Sequence, residues 1–191
     1  MQKFDQDYYQ RYYGNAETRA VSAEEQARQI HFVASYLRYL DIRISSGIDV
    51  GCGVGQMLAA CEREFPNATW QGIEFSAYLC DKHGWIQGSV VDTEIEPADF
   101  IICSDVLGYL GKRDCKKAMK NLARMTNQAL YLSVLTSDDL DICDQDITDM
   151  SQKLRPASWY KEHLNKHFVS IGGGVFLKKP LTAAVWKMEQ I

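Results

Sequence analysis

Between residues 44 and 136 the chain alternates between short, nearly unbroken apolar runs and longer stretches whose apolar residues recur every three or four positions. The runs suit buried strands and the spaced stretches suit amphipathic helices. Strands are expected over 44–50, 69–74, 85–92 and 128–136, and in the stretch 98–110, where the strand ends at Asp105. Helices are expected over 57–64, 76–83 and 114–125, the last with its lysines and arginines on a solvated face. Strand and helix in strict alternation argue for a parallel sheet of βαβ units, with the run from Ala98 buried on both faces. Upstream, Ser22-Ala23-Glu24-Glu25 reads as a capping box. It opens a helix to about residue 40 with Ile30, Val33, Ala34, Leu37 and Leu40 in one stripe and His31 on its flank. After residue 136 the alternation stops. A helix ending near His167 precedes two apolar runs, 168–177 and 181–188, joined by Lys178-Lys179-Pro180. An antiparallel hairpin fits them.

Composition narrows the class rather than changing this picture. At 191 residues, 46% hydrophobic and 24% charged, the chain suits one ordinary globular domain, with 1–43 as arm and helix and 44–191 as core. A net charge of -4 and a pI near 5.6 speak against an extended nucleic-acid surface. The amino terminus lacks the apolar core of a signal peptide, and no apolar run approaches the ~18–20 residues that span a bilayer. The expectation is a soluble, cytoplasmic protein with no membrane partner. Six cysteines (52, 61, 80, 103, 115, 143) contain no C-x-x-C pair, so neither a disulfide framework nor a zinc site is implied. His163 and His167 are four apart but lack the H-E-x-x-H arrangement and a third ligand, so no metal is expected.

Most of the chemistry gathers around Asp49-Val50-Gly51-Cys52-Gly53-Val54-Gly55. A strand that breaks into a glycine loop and re-enters as a helix brings backbone N–H groups close to a ligand. A dinucleotide fold calls for G-x-G-x-x-G with a pyrophosphate on the helix N-terminus. Here the spacing is G-x-G-x-G with an acid in front, which suits a ligand ammonium better than a pyrophosphate. The pattern resembles the first motif of class I S-adenosylmethionine-dependent methyltransferases. Ile73-Glu74-Phe75-Ser76 resembles the second motif, and Asp105-Val106-Leu107 followed by Tyr109 resembles the motif after the fourth strand. The likeness covers about 44–191, and it extends to small methyltransferase-domain proteins with a similarly tyrosine-rich arm.

The resemblance implies a Rossmann-like, doubly wound α/β fold: a mostly parallel seven-stranded sheet, a C-terminal antiparallel hairpin and an N-terminal helical arm. It implies S-adenosylmethionine as cofactor and S-adenosylhomocysteine as product. Gly51, Cys52, Gly53 and Gly55 would take the methionine part, with Asp49 supporting the loop. Glu74, roughly 20 residues beyond the loop, would hold the ribose hydroxyls, with Phe75 beside it. Adenine is left to Ser89, the Val90 backbone or Asp92, because Ser89 stands where the family commonly has an acid. Asp105 and Val106 would lie near the methionine amino group or the acceptor. A hydroxyl or protonated amine acceptor needs a base, for which Asp105, Tyr109, Tyr13 and His163 are the candidates.

Two stretches stay open in their reading. Residues 4–19 carry four tyrosines in six positions, either an arm packed on the core or a cap over a pocket, with Tyr9, Tyr12, Tyr13 and Arg19 as cap candidates. Residues 138–149 hold six aspartates and no Lys or Arg, and without them the chain would carry +2. They are either a solvated loop or an acidic rim that draws in a cationic acceptor. The function expected is methyl transfer to an O or N atom of a small molecule. A protein or tRNA methyltransferase and a non-catalytic cofactor-binding subunit are the alternatives. The missing Asn/Asp-Pro-Pro-Tyr pattern argues against base amines, and a nicotinamide oxidoreductase is disfavoured by the loop spacing and the closing hairpin.

Overall fold

The computed structural model describes residues 4–14 and 22–190. Its strands are β1 (Ser46–Val50), β2 (Thr69–Glu74), β3 (Ile86–Gln87), β4 (Ala98–Ser104), β5 (Thr126–Ser133), β6 (Phe168–Ser170) and β7 (Val175–Lys178). They form one seven-stranded sheet in the order β3-β2-β1-β4-β5-β7-β6. The first five strands run parallel, and β7 pairs antiparallel with both β5 and β6. The order reverses between β1 and β4, so both strands end at the topological switch point where open α/β sheets bind ligands.

Helices cover both faces. They are α1 (Gln6–Tyr9), α2 (Ala23–Tyr39), α3 (Gln56–Glu64), α4 (Ala77–His83), α5 (Lys112–Met125) and α6 (Ala157–Leu164). The side chains of β4 alternate between two cores. Ile101 and Cys103 join the cluster under α5 and α6, whereas Phe100 and Ile102 join the cluster under α2 and α3. The α2 stripe Ile30, Val33, Ala34 and Leu37 is fully buried. Its capping box is complete, with Ser22 Oγ accepting from the Glu25 amide and Glu25 Oε2 accepting from the Ser22 amide.

Three expectations are corrected. Of the stretch 85–92, expected to hold the third strand and its exit, only two residues are strand, because they pair only with Ile73 and Glu74 before Ser89 turns the chain. The helix expected to reach His167 stops at Leu164. The closing hairpin lies wholly inside 168–178: Gly172, Gly173 and Gly174 all have positive φ and make the turn between β6 and β7. The run 181–188 forms no strand, and Met188 is 95% exposed.

Candidate functional site

The loop after β1 is shaped by three glycines with φ of 75° at Gly51, 53° at Gly53 and 78° at Gly55. At Gly51 the requirement is steric as well as torsional, since a Cβ there would overlap Cγ2 of Val106. The loop is thereby pressed against the segment that follows β4. Gly55 caps α3 in the left-handed conformation, with the indole of Trp85 so close that a Cβ would come within 2.6 Å of it.

Two buried acids flank this loop. Asp49, at 3% exposure, has an Oδ2 without a partner among the described residues. Burial first, and the charge of Glu74 second, push its pKa up to about 7, against a backbone hydrogen bond from Leu58 that acts the other way. Glu74, at 5% exposure, is by contrast fully engaged. Its Oε2 accepts from the Gly53 amide at 2.9 Å, and its Oε1 accepts from the Ser76 amide at 2.9 Å and from the Tyr9 hydroxyl at 3.1 Å. Cys52 is buried, and its thiol is held well above the usual range by burial and by both acids.

The Tyr9 bond comes from the arm. Asp5 caps α1 by accepting from the Tyr8 amide, and a π-helical turn (Gln10–Gly14) continues it. The arm lies across the loop, so a Cβ on Gly53 would meet the Tyr9 ring at 3.8 Å and the Tyr13 hydroxyl at 3.9 Å. It is further pinned where Ser76 Oγ donates to the Phe4 carbonyl at 2.8 Å. Burial keeps the phenols of Tyr8, Tyr9 and Tyr13 protonated well above their usual range. Arg19 lies outside the described residues.

Beside the arm is a cavity of about 350 Å3 at the carboxyl ends of β4 and β5, within the size range of small-molecule sites. Tyr8, Tyr12, Tyr13 and Tyr109 form one part of its wall, and Asp105, Asp139 and Asp149 another. Gln26, Gln29, Gln152, Ser104, Ser133 and Thr148 add to its polar lining, and the buried Oε1 of Gln152 has no partner among the described residues. Asp105 adopts φ 55°, a conformation that non-glycine residues seldom hold. Its carboxylate accepts a long bond from Ser104 Oγ at 3.3 Å, and burial raises its pKa. Asp149 Oδ2 accepts from Tyr109 at 2.9 Å and from Tyr8 at 3.4 Å, while the two phenol oxygens are 2.9 Å apart.

The sequence candidates therefore separate. Asp49, the three glycines, Cys52, Glu74 and Val106 surround the loop, while Asp105, Tyr13 and Tyr109 line the cavity next to it. Phe75 is 47% exposed and meets Phe4 edge-on. Val90 is part of the core under α5, its carbonyl taken by Asn121, and Ser89 Oγ accepts from the Val91 amide. His163 is set apart from the cavity, because its Nδ1 lies 2.8 Å from the Trp159 carbonyl and its ring packs on that indole. Its place as a base candidate is withdrawn. The acidic segment divides: Asp138 accepts from the Ala157 amide at the start of α6 and Asp139 from Thr136, yet Asp139 and Asp149 also face the cavity. The contact between Tyr8 and Asp149 escapes a sequence reading, because nothing in the chain pairs positions 8 and 149. Among the described residues no group of three or more His, Cys, Asp or Glu is arranged to hold a metal, and no helix is long and apolar enough to cross a membrane.

Comparisons with known proteins bear on the family and the fold. A family model described as a methyltransferase domain matches residues 16–174. No curated protein matches the sequence. Among solved structures, DesVI of Streptomyces venezuelae superposes with a TM-score of 0.62 at 14% identity, covering 81% of this chain and 92% of its own. An S-adenosylmethionine-dependent methyltransferase from Clostridium acetobutylicum gives 0.59 at 12% identity, covering 72% of this chain and 78% of its own. CalS10, an amino pentose methyltransferase from Micromonospora echinaspora solved with bound S-adenosylmethionine, gives 0.51 at 18% identity, and the chain spans about half its length (52%). At these identities the likeness is one of fold.

Proposed function

The chain belongs to the class I S-adenosylmethionine-dependent methyltransferases, and from that premise we propose that it methylates an O or N atom of a small molecule held in the cavity between the tyrosine arm and the ends of β4 and β5. The family implies S-adenosylmethionine as the cofactor, whose sulfonium supplies an electrophilic methyl group and a good leaving group. What supports the reading is one juxtaposition: the cavity opens beside the glycine loop, with Asp105 on its wall next to Val106, the residue against which Gly51 packs.

The residues around the loop fit such a cofactor. Asp49 holds an unpartnered buried oxygen, and a ligand ammonium would satisfy it and favour its ionised form. Gly51, Gly53 and Gly55 keep the loop free of side chains where the methionine part would lie. Glu74 would hold the ribose, its Oε1 exchanging the Tyr9 hydroxyl for a ribose hydroxyl. Phe75, Ser89 and the Val90 segment flank the expected adenine end. Asp105 orients an acceptor N–H or O–H and is placed to take its proton, with Tyr109 and Tyr13 as neutral phenols that position the acceptor. The arm and Asp149 close the cavity, which aligns the acceptor and excludes water.

Calorimetric titration with S-adenosylhomocysteine tests the reading, with NAD as control and a Glu74→Ala variant alongside. Micromolar binding of the first, none of NAD, and at least about tenfold loss in the variant are expected. No binding to the wild-type chain would remove the stand-alone enzyme.

A further inference from the structure

The acceptor cavity carries a chemical signature that narrows the substrate class. Three carboxylates line it, those of Asp105, Asp139 and Asp149, and no Lys, Arg or His lines it among the described residues. Four phenols line it as well. The polarity of two of them is set by Asp149: Tyr109 gives its proton to Asp149 Oδ2 at 2.9 Å, and Tyr8 points its own to the same carboxylate at 3.4 Å or to Tyr109 at 2.9 Å. With those protons turned toward the carboxylate, what the pair offers an incoming group is lone pairs. Burial also holds both phenols in the neutral form. Gln152 also lines the cavity, although its Oε1 is buried against Gly108. Acceptors thus converge on the space, and a ligand rich in N–H donors satisfies them.

We propose that the cavity binds its acceptor as a protonated amine, between the phenols of Tyr8, Tyr12, Tyr13 and Tyr109 and the carboxylates of Asp105 and Asp149. The inference rests on the methyltransferase reading and deepens it from "an O or N atom" to an amine. An ammonium on a compact apolar body matches the wall: carboxylates and hydroxyl oxygens receive its N–H groups, and the rings receive its carbon frame. A neutral alcohol offers one donor in its place. A carboxylate ligand would face like charges, with no cation among the described lining residues to offset them. Asp105 is the positioned acceptor of the ammonium's proton: the N–H bond breaks, an O–H bond forms on the carboxylate, and nitrogen keeps the electron pair it needs as a nucleophile.

The test reads binding rather than turnover. Three isosteric probes, cyclohexylmethylamine, cyclohexylmethanol and cyclohexanecarboxylate, are titrated calorimetrically into the full chain with and without saturating S-adenosylhomocysteine. A second pair, tyramine and 4-ethylphenol, guards against a shape effect. The amines should bind about tenfold or more tightly than their neutral partners, and the carboxylate should not bind. Asp105→Asn and Asp149→Asn should each reduce the amine-to-alcohol ratio by about tenfold, and Asp149→Asn should do so with S-adenosylhomocysteine affinity retained. If one variant fails to fold, the wild-type probe series and the other variant still decide. Equal affinity for amine and alcohol, tighter carboxylate binding, or no amine binding by a chain that binds S-adenosylhomocysteine would overturn the amine site and leave the methyltransferase reading standing. Amine binding by a chain indifferent to S-adenosylhomocysteine would do the reverse.

Discussion

Asp49 illustrates how a single side chain can cost stability in exchange for a binding site. Its carboxyl ionises near pH 7 in the folded chain against 3.8 ordinarily, because it is buried beside Glu74. Below about pH 4 it is protonated folded and unfolded alike; between there and pH 7 only the folded state keeps the proton. Its contribution to stability is therefore present at low pH and is lost as pH rises through 7, by on the order of 4 kcal/mol. A neutral amide costs less to bury than a carboxylate. Asp49→Asn should accordingly melt several degrees above wild type at pH 8, with the gap narrowing at pH 5, while its S-adenosylhomocysteine affinity falls about tenfold or more. Thermal melts across pH and calorimetry check the two halves. Tyr9 makes the complementary case. Its hydroxyl occupies Glu74 Oε1, and a hydrogen bond to a charged group is worth about 1.5–3 kcal/mol. Tyr9→Phe should tighten S-adenosylhomocysteine binding several-fold, and an unchanged or weaker affinity would show that the phenol and the ribose do not compete.

The element at issue is the unit β1–loop–α3, and it is the most legible part of the sequence. A buried strand, three alternating glycines and a helix stand in order with nothing else that residues 46–64 can form. The same directness holds for β2, α5 and the parallel order of the first five strands, where periodicity and burial agree. The closing hairpin shows where such reading stops. Residues 168–178 look like one apolar run, yet three successive glycines fold it into two strands, and 181–188 is apolar without being paired. Apolarity marks what a segment can bury against, but the partner strand decides whether it is buried. The Tyr8–Tyr109–Asp149 contact is illegible for the same reason, being made by three segments that only the finished sheet brings together. At Gly51 the fit is close enough to be tested by exchange. Gly51→Ala should destabilise the chain by roughly 1–3 kcal/mol through clash and positive φ. Val106→Ala in the same chain should recover about 1 kcal/mol by removing the clash alone, read as a coupling in a urea double-mutant cycle.

At the scale of the whole molecule, the residues proposed for the cofactor lie in the core, whereas the proposed acceptor cavity is an assembly. It needs the ends of β4 and β5, the acidic segment and the arm together, so the proposal assigns acceptor specificity to the parts least bound to the Rossmann-like pattern. Besides the Phe4 carbonyl's bond from Ser76, the arm is attached at both ends of the site, through Tyr9 to Glu74 and through Tyr8 to Tyr109 and Asp149. Expressed as a kinetic scheme, this double attachment fixes a sequence of events. An acceptor that settles first holds the arm down and keeps Tyr9 on Glu74, so productive turnover requires cofactor to enter before acceptor. Initial-rate measurements should then show compulsory-order addition, slowing at high acceptor concentration, and S-adenosylhomocysteine competing with S-adenosylmethionine alone. Random-order kinetics would mean that the arm yields at either end independently.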